Sequence, residues 1–303
     1  MCDDFTDESN KRWLSERRLG RREFSALGVG ATAAILMPGC GGSTGHQDVS
    51  SEPALTALAT ESSLVSIETP DGTADAFFVH PNAGRHPAVL IWPDILGLRD
   101  AFETMATRLA GAGYAVLVIN QYYRTSKAPV LSSWEEWMSD EGKAKLQPMV
   151  KAITPAAVMS DANALISWLD TQSAVDTNKK IGTSGYCMGG PFTIRTAAGR
   201  SDRVGAAASF HGASLVTDAP DSPHRLFAEL EAGLLIAIAQ NDDQRQPEAK
   251  TQLKEAADAA NLHAEIEVYP AQHGWCALDS AVYDQTQAER AWSRMLAMFR
   301  EHL

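Results

Sequence analysis

The chain has 303 residues, 45% of them hydrophobic, which is enough for one large domain with a full core and an N-terminal extension. A net charge of −12 implies no basic surface to neutralise phosphates, so nucleic acid is not an expected partner. The four cysteines, Cys2, Cys40, Cys187 and Cys276, form no CxxC pair or metal-type cluster, so no metal site is expected.

Residues 1 to about 20 are polar and charged. Arg21-Arg22 is followed by Phe24 and a short apolar run, Gly28 to Met37. That pattern resembles a twin-arginine export signal, and the run is too short for a permanent membrane span, which needs roughly 20 residues. Gly39-Cys40 resembles a lipoprotein box with Cys40 as the lipidated residue, although Pro38 departs from its usual small residue. The expected division is an export signal over 1–40, a flexible tether over 41–62 and a folded domain over 63–303. A periplasmic or membrane-anchored location follows from that reading, with the membrane touched only through the lipid.

The folded part opens with β-type runs, Leu64–Glu68 and Ala74–His80, around the turn signal Pro70-Asp71-Gly72. Pro87–Trp92 is continuously apolar, as a buried parallel strand should be, and leads into the loop Pro93–Leu98. Arg99–Ala112 has helical spacing, and Tyr114–Ile119 is a second apolar strand. An insertion over 125–153 carries Trp134 and Trp137, three apart on a short helix, where packing is favoured over substrate contact. Pro155–Leu169 reads as a helix and Lys179–Ser184 as a strand. Further strands are expected over Val204–Phe210, Gly233–Ala239 and His263–Tyr269, with helices over Pro191–Ala198, Pro247–Ala260 and Ala281–His302. This alternation predicts an α/β fold with a doubly wound, mostly parallel sheet and right-handed crossovers.

Between strand and helix stands Gly185-Tyr186-Cys187-Met188-Gly189-Gly190. Small residues two before and two after a reactive side chain suit the strained turn of a nucleophile elbow, with Cys where Ser usually sits. An acid at Asp242 or Asp243 and a histidine at His273 follow later strands, in the chain order nucleophile, acid, His. Asp243, four before Pro247, is the preferred acid. His273 would take the thiol proton and the carboxylate would orient the ring. Backbone N–H groups of Ile95 and Met188 are the expected oxyanion donors. His211 also ends a strand but falls outside the triad order, and reads as structural or pocket-lining.

From about residue 64 onward the sequence resembles the dienelactone hydrolase family, within the α/β-hydrolase fold. The resemblance rests on Gly185–Gly190, Asp94-Ile95-Leu96-Gly97-Leu98, Asp243-x-x-x-Pro247 and Tyr269-x-x-x-His273-Gly-Trp275. It implies a carboxymethylenebutenolidase-like hydrolase that opens lactones or activated esters with a Cys-His-Asp triad and no cofactor. It further implies that Asp94 modulates the thiol and that Tyr122, Arg124 and Trp275 contact substrate. Two departures stand out. Asp94 is one methylene shorter than the family's usual Glu, and Ala277 occupies the position of a second substrate-binding arginine. The alternatives are a non-catalytic ligand-binding lipoprotein on the same fold and an acyltransferase with the same triad.

Overall fold

The computed structural model describes residues 6, 8–13, 15 and 57–303. Arg21, Arg22 and Cys40 lie outside the described residues. Residues 6, 8–13 and 15 are helical and form α1. Eight strands make one sheet in the order β1-β2-β4-β3-β5-β6-β7-β8.

The hairpin β1 (Thr60–Thr69) and β2 (Gly72–Pro81) pairs antiparallel, and β2 runs antiparallel to β4 (Ala115–Ile119). From β4 through β3 (Ala88–Trp92), β5 (Ile181–Tyr186), β6 (Val204–Phe210), β7 (Gly233–Ala239) and β8 (Ala264–Tyr269) all pairs are parallel. The sheet is therefore mixed, with the antiparallel pairs confined to one edge. Every residue of β3 and β4 is buried. Both faces are covered, which is why Ala-Val-Leu-Ile-Trp and Ala-Val-Leu-Val-Ile show no alternation.

One face packs against α2 (Asp100–Gly111) and α9 (Gln285–His302) through Phe102, Leu109, Met295 and Phe299. The other packs against α5 (Pro155–Leu169), α6 (Gly190–Gly199) and α8 (Ala249–Ala259) through Leu165, Ile166, Ile194 and Leu253. Full burial of each such side chain is worth about 1.5–3 kcal/mol, so the two layers fix the sheet between them.

The long insertion is two helices, α3 (Trp134–Met138) and α4 (Asp140–Ala152), with Ser133 and Ser139 as N-caps. The segment after β7 is a short helix, α7 (Gln240–Arg245), begun directly at the strand end. Strand order reverses at β3, between β4 and β5, and ligand crevices open at such points outside the strand C-termini. Asp94 follows β3 there and Cys187 follows β5. Among the described residues, no helix is long and apolar enough to cross a membrane.

Candidate active site

Cys187 sits immediately after β5 with φ of 52°, in the left-handed region that a side-chain-bearing residue rarely occupies. Crowding enforces this turn. A Cβ on Gly185 would lie 2.1 Å from the Gly189 carbonyl oxygen, and one on Gly189 would lie 2.2 Å from the Trp92 carbonyl oxygen. Strand, elbow and α6 meet this closely only because both positions lack a side chain. The strain is held from below by His211, whose Nδ1 accepts the backbone N–H of Cys187 at 3.1 Å. Cys187 is 2% exposed, and neither it nor Cys276 is in a disulfide.

His273, in the loop after β8, is buried, and its Nδ1 lies 2.7 Å from Asp242 Oδ2. Asn241 Oδ1 accepts the backbone N–H of His273 at 2.8 Å and fixes the loop that carries it. Burial depresses the His273 pKa. The Asp242 carboxylate, the Cys187 charge and the Asp242 hydrogen bond outweigh that and push it up to about 10. His211 behaves oppositely: burial and the neighbouring charge of His273 push it down to about 3, so it stays neutral.

The acid preferred from sequence is corrected here. Asp243 does not face His273; both its oxygens accept from Lys250 Nζ, at 2.8 and 2.9 Å. Because α7 starts at the end of β7, Asp242 and Asp243 are adjacent helical residues, and adjacent residues on a helix point in different directions.

A cavity of about 210 Å³ opens on Cys187 and is lined by His273, His211, Asp94, Trp134 and Met138 among others. Trp134 and Met138, one turn apart, share the lining, whereas Trp137 is buried in the core. Asp94 therefore stands beside the thiol as expected, but its oxygens are already engaged. Arg99 Nη1 and Nη2 donate to its two oxygens at 2.8 and 2.9 Å, and the Leu96 N–H adds a third bond at 2.9 Å. Burial raises the Asp94 pKa, Arg99 opposes this, and the Cys187 charge adds to it. Arg99 in turn donates twice to Asp279, at 2.7 and 2.9 Å. Sequence reading missed Arg99; its position at the start of α2, five after Asp94, was the available signal.

The three expected substrate contacts lie elsewhere. Arg124 is claimed by Asp71 and Asp161, with bonds of 2.6 to 2.9 Å, so its guanidinium is spent on holding the hairpin to α5. Trp275 is fully buried, stacked on Tyr269 and set 5.0 Å from the His211 ring. Tyr122 is buried and donates its hydroxyl to the Ile95 carbonyl at 2.7 Å, so it shapes the loop rather than lining the cavity. Ile95 lies in the turn after β3 and Met188 in the turn after Cys187.

A mixed sheet flanked by helices, with a buried cysteine at the elbow after the central strand, defines an α/β-hydrolase with Cys187 positioned for catalysis. Residues 74–303 match the profile of the dienelactone hydrolase family. The chain belongs to that family and is a carboxylic-ester or lactone hydrolase of it. A Methylorubrum extorquens protein with a provisional carboxymethylenebutenolidase name is 29% identical over 245 residues, covering 78% of this chain and 80% of its own length. A Bradyrhizobium protein, provisionally named a 2-oxo-3-(5-oxofuran-2-ylidene)propanoate lactonase, is 26% identical over 225 residues, covering 73% and 86%. The solved structure of a provisionally assigned dienelactone hydrolase from Klebsiella pneumoniae superposes with a TM-score of 0.69 at 24% identity, covering 80% of this chain and all of that one. At that identity the likeness concerns the fold.

Proposed function

We propose that the protein hydrolyses lactones or activated esters through a thioacyl-enzyme on Cys187, with His273 as the proton carrier and Asp242 as its orienting acid. The observation that carries this reading is the His273–Asp242 contact of 2.7 Å beside a buried cysteine on a strained elbow. With its pKa pushed to about 10, His273 holds a proton at neutral pH, and the negative charge of the Cys187 thiolate favours that state. The thiolate attacks the acyl carbon, and the carbonyl electron pair moves onto oxygen.

The N–H groups of Ile95 and Met188 receive that oxyanion. The neighbouring amides of Leu96 and Gly97 are taken by Asp94, and Met188 lies in the first turn after the elbow, where helical amides lack an intrahelical partner. Collapse breaks the acyl C–O bond as His273 gives its proton to the leaving oxygen. In a lactone that oxygen stays tethered and the ring opens. Water then attacks the thioester, giving a proton to His273, and the thiolate leaves with the acid product free. Thiolate is a good leaving group, so enol and aryl esters, whose own leaving oxygen competes well with it, are the preferred substrates.

Asp94 enters as an electrostatic neighbour of the thiol, restrained by Arg99. Cys187→Ala is expected to lower turnover on an ester and lactone panel by about 10³-fold or more, with an unchanged circular dichroism spectrum. Full retained activity would sink the proposal. The Arg21-Arg22 pair and Gly39-Cys40 support export and lipid anchoring as part of the same reading. Cys40→Ala is expected to shift the protein from the membrane fraction to the soluble one.

A further inference from the structure

The outer wall of the Cys187 cavity comes from an unexpected part of the chain. Thr6, Asn10 and Lys11 of α1 line it together with Cys187 and His273. Thr6 is 2% exposed. Asn10, one turn later on the same face, donates from Nδ2 to the His273 carbonyl at 3.0 Å and accepts from Asn241 Nδ2 at 3.4 Å. Ser9 reaches Gln272 at 3.4 Å. Thus α1 rests on α7, which carries the proposed acid, and on the loop that carries His273, and it closes the space an acyl group must enter.

We infer that α1 is a removable cap that sets the size of substrate admitted to Cys187. This rests on the reading of Cys187 as the reactive thiol. The attachment is strong enough to bias the site and weak enough to release. Each of the hydrogen bonds named above is worth about 0.5–1.5 kcal/mol net, and a helix outside the packed sheet layers draws little stability from its backbone alone. The cap lies upstream of Arg21-Arg22, on the segment expected to be removed with the leader. Cleavage ahead of Cys40 would take α1 away and leave the mature cavity open, so the precursor is the restricted form and the processed protein the open one.

The test compares the full chain with a variant lacking residues 2–15. Alkylation of Cys187 is followed by mass spectrometry of its own peptide, which removes the contribution of the other cysteines. Two reagents are used, iodoacetamide as the small probe and fluorescein maleimide as the large one. The deletion is expected to speed the large reagent about tenfold while the small one changes by less than about twofold. The ratio of kcat/KM for p-nitrophenyl benzoate over p-nitrophenyl acetate should rise in parallel. Equal acceleration of both reagents, or of neither, overturns the cap. Should the deletion fail to fold, the double variant Thr6→Ala/Asn10→Ala makes the same comparison in the full-length chain. Labelling needs no turnover, so a wild-type protein that labels as expected yet hydrolyses nothing rejects the hydrolase reading and keeps the cap.

Discussion

Two adjacent aspartates, Asp242 and Asp243, face different partners: His273 at 2.7 Å for the first, and Lys250 at 2.8 and 2.9 Å for the second. Asp242→Asn leaves the shape of the site but removes the charge that orients His273. It is expected to lower kcat by about 10²–10⁴-fold, against less than about threefold for Asp243→Asn. Steady-state rates of the two variants side by side decide it, and the reverse ranking would restore Asp243. The pH dependence of stability reads the same contact. The His273 pKa is raised from an ordinary value of 6.5 to about 10. The stabilisation its partners supply is complete below about pH 6.5 and is lost as pH rises through about 10. The Tm difference between wild type and His273→Gln should therefore narrow from about pH 7 to about pH 10. A difference that widens over that window would contradict the assignment.

At the level of elements, Arg124 ties the turn of the β1–β2 hairpin, through Asp71, to α5, through the buried Asp161. Arg124→Ala leaves Asp161 as an uncompensated buried carboxylate. A loss of about 3 kcal/mol of stability is expected in urea unfolding, with KM for small esters unchanged. A large KM effect without loss of stability would return Arg124 to substrate binding. The same reasoning explains why α3 divides its aromatics. A five-residue helix capped by Ser133 turns Trp137 into the core and leaves Trp134 on the cavity with Met138.

Across the whole molecule, the three groups of the proposed triad come from the ends of three parallel strands. β5 supplies Cys187, β7 runs into the helix of Asp242, and β8 runs into the loop of His273. Arg99, Asp279 and Asp94 bind the loop after β3 to the loop beyond His273, so the cavity is framed by charge pairs that span the chain. The N-terminal helix completes that frame from a segment whose polar composition signalled only a leader. Nothing in its local pattern announces a docking face, because Thr6 and Asn10 matter through what they meet, not through their hydrophobicity.

The sheet and the elbow were legible in the residues themselves. Short apolar runs rich in β-branched residues and bounded by turn signals fit strands buried on both faces, and a Cβ fits at neither Gly185 nor Gly189, so local chemistry and backbone sterics point to Cys187 as the tip of the turn. The order Cys, Asp, His along the chain likewise placed the three groups at strand ends. Which of two neighbouring aspartates turned inward was decided by α7 beginning immediately after the last residue of β7. The fate of Arg124 depended on carboxylates 53 and 37 residues away. The closure of the site depended on a helix that meets the histidine loop 263 residues later. Such pairings are set by the packed geometry of distant segments, and a linear pattern carries no record of that geometry.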